Sequence, residues 1–113
     1  MPDYPIYPKT YDLLAYLVQV TESFPRSQRF VLARRIQDAA LDFYDLLIVA
    51  RKVNVQERRD VLRRADAKLE MLRTCTRLAM ELGFLPFGQY EHASGMVVEV
   101  GKMLGRWRQK LEQ

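Results

Sequence analysis

Between Gln56 and Leu82, apolar or small residues return at Leu62, Ala65, Leu69, Leu72, Thr76 and Ala79. This three-four-three-four spacing keeps one side of a helix against a packing partner. One position further round, Arg59, Arg63, Asp66, Glu70, Arg73 and Arg77 follow the same spacing, so the flank of that seam is a charged stripe with arginine at both ends. Three other stretches carry a helical period. From about Thr10, the candidate N-cap, to Ser23, the seam is Leu13, Leu17, Val20 and Phe24, with Pro25 marking its end. From Ser27, a second candidate cap, to about Val53 the seam is Ala33, Ile36, Ala40, Phe43, Leu47 and Ala50. Leu32, Leu41, Tyr44, Leu46 and Ile48 widen it until it needs burying on more than one side. Asn54 is placed to cap the third helix, with Glu57 as capping-box partner. Beyond the breaking sequence GFLPFG, a fourth helix from about Gln89 to Leu111 carries Tyr90, Ala93, Val97, Val100, Leu104, Trp107 and Leu111.

The pattern therefore predicts an all-α protein of four amphipathic helices, and 113 residues make one domain, 1–113. Residues 1–9, with Pro2, Pro5 and Pro8, read as an extended arm, because proline biases its predecessor away from helix. Val61, Cys75 and Leu82 on one flank, with Met71 and Leu78 nearby, give the third helix more apolar surface than a lone bundle uses. Gly101 and Gly105 share one face of the fourth helix, each at a cost of roughly 1 kcal/mol relative to Ala. The first feature points to contact between subunits, and the second to the close approach of another helix, of this subunit or of a second. No apolar run approaches the roughly 20 residues of a membrane span. The start lacks a basic segment followed by an apolar block, so the expected compartment is the cytoplasm, and the lone Cys75 agrees with it.

Charge sharpens the picture. The formal net charge is +4, but thirteen of eighteen basic residues fall between Arg26 and Arg77, against seven acids. Eleven of those thirteen are arginine, whose planar fork suits phosphate. A polyanionic partner fits this balance, as does a solvated surface laced with ion pairs. Arg26, Arg29, Arg34 and Arg35 gather where the second helix should begin, an end whose dipole disfavours cations unless an anion is near. Arg34 and Asp38, four apart, are spaced to pair instead, whereas Arg35 and Asp42 are seven apart.

Catalysis has little to work with. His92 and Cys75 are single, too few for a metal site. GFLPFG lacks the Lys and Ser/Thr of a nucleotide-binding loop. Asp66 and Glu70 are flanked by Arg63 and Arg73, which suits ion pairing better than acid-base chemistry. No enzyme, metal or cofactor is expected. No aromatics exposed for base stacking are evident.

Two runs are more specific. ADAKLEMLRTCTRL (Ala65 to Leu78) and, later, VVEVGKMLGRW (Val97 to Trp107) resemble the accessory variability determinant family of diversity-generating retroelements. The likeness extends to the FPRS and LLIVARK segments. The ribosomal-RNA intervening-sequence proteins are related to that family. The resemblance implies an up-down-up-down four-helix bundle assembled into a ring, a homopentamer with a basic surface. It also implies a non-enzymatic partner of the element's reverse transcriptase and its template RNA, or DNA, in mutagenic cDNA synthesis. Arg73 and Arg77 match the motif's basic pair, LRTCTR. The helix reading adds Arg59, Arg63, Arg64 and Lys68, and the basic cluster adds Arg26, Arg29 and Arg34. The alternative is a self-assembling bundle of the intervening-sequence type whose partner is another protein.

Overall fold

A computed structural model describes residues 5–112. Its helices are α1 (Ile6–Thr21), α2 (Leu32–Ala50), α3 (Val55–Glu81) and α4 (Phe87–Leu111), with a single 3₁₀ turn at Arg26–Gln28 and no strand among the described residues. α1 packs on α2 and α4, and α3 packs on the same two, so the four surround one core. The molecule measures 45 × 23 × 19 Å. The seams that the sequence predicts meet inside it: Leu13, Leu17, Ile36, Phe43, Leu47, Leu62, Leu69, Leu72, Val97, Val100 and Leu104 are all essentially inaccessible. Burying one such side chain is worth roughly 1.5–3 kcal/mol.

Cross-helix contacts fix which ends meet. The Tyr7 hydroxyl, at the start of α1, donates to the Leu47 carbonyl near the end of α2 at 2.7 Å. Near the other end of the pair, Gln37 Nε2 donates to Thr21 Oγ1 at 2.9 Å. Lys68 reaches Asp42 at 3.4 Å, Arg108 reaches Asp66 at 3.3 Å, and Lys9 reaches Glu99 at 3.0 Å.

The helix ends show where local chemistry ruled. Asn54 caps α3 as expected, its Oδ1 accepting from the Glu57 backbone N–H at 2.9 Å. At the other end Gly83 takes φ 82°, so its N–H reaches Met80 O at 3.0 Å and the Phe84 N–H reaches Ala79 O at 2.9 Å. This paired return satisfies carbonyls that a helix end would leave open.

Three expectations are corrected. α1 begins at Ile6, so the extended arm does not run to residue 9; residues 1–4 lie outside the described part. Pro8 stands in the first turn, where a missing N–H costs nothing because that turn's donors have no helical partners. Burial of Ile6 and the Tyr7 hydrogen bond offset the bias against helix before proline. Thr10 consequently lies inside α1, buried and with its hydroxyl unpartnered, not at a cap. Ser27 caps nothing either. It sits in the 3₁₀ turn, and α2 starts at Leu32 after Val31 breaks the helical path at φ −118°, ψ −97°. Arg26 and Arg29 therefore precede α2. The helix that Gly101 faces is α3 of the same chain, where a methyl would lie at ordinary contact distances of 3.6 Å from Leu69 Cδ2 and 3.7 Å from Arg73 Nη2; one at Gly105 would meet nothing within 4 Å.

Two outcomes follow for stability. Thr10→Val removes a buried hydroxyl that has no partner and keeps its shape, and should raise stability by about 1 kcal/mol in chemical denaturation. The second concerns alkaline pH. Burial raises the Cys75 thiol above its usual 9.0 against the pull of Arg35, and raises Tyr7 above 10.0 against Arg51. Lys9 is raised above 10.5, chiefly by its hydrogen bond to Glu99. All three hold their protons more tightly folded than unfolded, so their contribution is present at neutral pH and is lost as pH climbs through these values. The melting temperature should fall above about pH 9, and Tyr7→Phe should flatten the decline above about pH 10.

Candidate nucleic-acid interface

Two neighbouring arginines organise one end of the bundle. Arg58 donates from Nε to Ala50 O at 2.6 Å and from Nη2 to Val53 O at 2.7 Å, closing α2. Arg59 turns the other way and donates from Nε and Nη2 to Leu111 O at 3.2 and 2.7 Å, closing α4. Each guanidinium sits at the negative end of a helix dipole. The end of α2, the start of α3 and the end of α4 are thereby held in one corner.

That corner concentrates charge. Segments 51–66 and 102–112 carry ten cations: Arg51, Lys52, Arg58, Arg59, Arg63, Arg64, Lys102, Arg106, Arg108 and Lys110. Against them stand four acids, Glu57, Asp60, Asp66 and Glu112. Between α3 and α4 an open groove of about 450 Å³ is lined by Gln56, Arg59, Asp60, Arg63, Arg108, Leu111 and Glu112.

The nine residues proposed from sequence fall into three groups. Arg59 and Arg63 line the groove, and Arg73 and Arg77 continue the same flank of α3, with Arg73 lying against the bare backbone of Gly101. Arg59 and Arg77 are separated by roughly 27 Å of helix. Arg64 and Lys68 occupy a different flank, where Lys68 meets Asp42 of α2. Arg26, Arg29 and Arg34 stand at the opposite end, around the 3₁₀ turn and the start of α2. Several are paired: Arg63 with Asp60, Arg34 with Asp38 at 3.7 Å, and Arg77 with Glu81 at 3.1 Å. All these partners are more than half exposed. Exposed pairs are worth about 0–1 kcal/mol, so such an arginine exchanges a carboxylate for a phosphate at little cost.

Periodicity alone does not bring Arg51, Lys52, Arg58, Lys102 and the α4 tail Arg106, Arg108 and Lys110 into a site. On its own, that tail suits the negative end of its helix dipole without any ligand. The signal lay in the pairing of segments some fifty positions apart, which only the packing of α4 on α3 brings together.

Other chemistry finds no support among the described residues. No cluster of three His, Cys, Asp or Glu could hold a metal ion, and Asp66 is paired with Arg108. Cys75 Sγ lies 3.8 Å from Met71 Sδ, and exposed His92 packs edge-on against Tyr16 with ring centroids 4.6 Å apart. No described helix is long and apolar enough to cross a membrane.

No curated protein matches the chain. Among solved structures, a protein of unknown function from the S23 ribosomal protein family of Bacteroides thetaiotaomicron superposes with a TM-score of 0.88. The match covers 96% of this chain and 99% of that one at 16% identity, a likeness of fold. The sequence itself is more specific: residues 6–111 match the model of the bAvd-like family, and the chain belongs to it.

Proposed function

We propose that this protein is a non-enzymatic accessory factor of a diversity-generating retroelement, acting in the cytoplasm. It binds the element's reverse transcriptase and its template RNA, and supports mutagenic cDNA synthesis and retrohoming. The observation that carries the reading is the ten-cation corner where α2, α3 and α4 meet. Arg59, Arg63, Arg73 and Arg77 extend it along α3 as a track for phosphates, with Arg64 and Lys68 beside it and Arg26, Arg29 and Arg34 as a distal contact. Attraction of this kind is salt-sensitive and largely independent of sequence.

The bundle is up-down-up-down in this reading and assembles as a homopentameric ring. The end-to-start contacts of successive helices support the first point. Two unlike apolar faces support the second: Tyr11, Val18 and Leu41 are exposed on α1 and α2, and Met71 and Leu78 on α3, with Leu82 just past its end. Unlike faces that complement each other make a head-to-tail contact, which closes into a ring when the rotation allows. Repeating the basic corner multiplies weak phosphate contacts into avidity. The same apolar faces favour the second reading, a self-assembling intervening-sequence type module whose partner is a protein.

Fluorescence anisotropy with a structured RNA at two salt concentrations separates the two. The pairs Arg73→Ala with Arg77→Ala, and Arg106→Ala with Lys110→Ala, should each weaken binding and lower the salt slope by about 1–2. Unchanged binding by both would favour the protein-interaction module. Light scattering checks the ring: Tyr11→Glu with Leu41→Glu should reduce a multi-subunit species to a folded monomer, and a wild-type monomer would remove the ring.

A further inference from the structure

The basic corner also holds an aromatic cluster. Tyr7 is fixed by its hydroxyl on Leu47 O. The rings of Tyr44 and Trp107 meet it edge-on, each with its centroid 6.3 Å away, at interplanar angles of 80° and 63°. The Arg51 guanidinium lies over the Tyr7 ring, 4.7 Å from its centroid. Arg51 is exposed, and Trp107 and Tyr44 keep part of their surface open. The sequence concealed this cluster by placing Tyr7 in an extended arm and Trp107 in the buried seam.

Resting on the nucleic-acid reading above, we infer that this cluster is a stacking site for unpaired nucleobases, with Trp107 and the Arg51 guanidinium as its open members. A guanidinium already seated on a ring presents a flat, weakly hydrated plane, and an indole offers the largest π-face among side chains. Both stack on any base whose own face is free, so the ligand class is single-stranded or looped RNA. Arg106 and Arg108 flank Trp107 in sequence and Lys110 lies one turn on, placing cations for the phosphates on either side of the stacked base. The edge-on contacts and the Tyr7 hydrogen bond hold the platform in place before a ligand arrives. A duplex keeps its bases stacked internally and offers this site only its backbone.

Trp107 is the chain's only tryptophan, so its emission reports on the site in the unaltered protein. Titration with a single-stranded oligonucleotide should quench that emission along the same curve as anisotropy-detected binding. A duplex of the same sequence and inorganic polyphosphate should bind with little quenching. Trp107→Leu, which removes the stacking face and no charge, should weaken single-strand binding by about tenfold, the scale of one stacked base, and leave duplex binding within about twofold. Circular dichroism confirms that the variant is folded; should it not be, the wild-type titration decides alone. Binding of single strands without quenching, or equal quenching by polyphosphate, would overturn the stacking site and leave the basic-surface reading standing. Failure to bind any nucleic acid would overturn both.

Discussion

Arg58 and Arg59, adjacent in sequence, terminate two different helices. Backbone carbonyls at the last turn of a helix need donors from outside it, and these two guanidinium groups supply them to α2 and α4 from the first turns of α3. Hydrogen bonds from a charged donor contribute roughly 1.5–3 kcal/mol, with Arg59 at the low end because it is exposed. The greater effect is positional. Three chain segments converge on one corner, and each brings its own arginines or lysines. Repulsion among them is moderated by solvent and by four nearby carboxylates, and their clustering is the source of the protein's affinity for polyanions in the reading given above.

Most of the core was legible in the sequence because an apolar stripe on a helix has one place to go. Leu13 and Leu17, Ile36 and Phe43, Leu69 and Leu72, and Val97 and Leu104 needed no knowledge of their partners to be recognised as interior. Asn54 was legible for a similar reason, since its cap bond reaches only three residues. Thr10 and Ser27 have the same cap chemistry but lost to context: buried Ile6 and half-buried Tyr7 drew the helix back past Thr10, and the turn after Pro25 carried Ser27 away from α2.

The candidate site was less legible, because a surface cluster is made by packing between segments rather than by periodicity within one. Arg73 and Arg77 could be picked out on a single helix. That Arg59 binds the carbonyl of Leu111, or that Arg51 lies over Tyr7, depends on which ends of which helices meet. Exposed Tyr11 and Leu41 illustrate the same limit in reverse: the breadth of the α2 stripe announced surplus apolar surface, but only the fold assigned it to the α1 and α2 side.

The ends of the bundle differ in kind. One gathers the arginines around Arg58 and Arg59; the other exposes Phe30, Val31, Leu82 and Phe87. Cyclic symmetry repeats every subunit in the same orientation along the axis. Each subunit of a ring whose axis runs along the bundle would carry its arginine-rich end toward the same rim. Such an assembly would have one rim where charge dominates and another where Arg26, Arg29 and Arg34 stand among exposed aromatic and aliphatic side chains, and a strand approaching it would meet two chemically distinct openings.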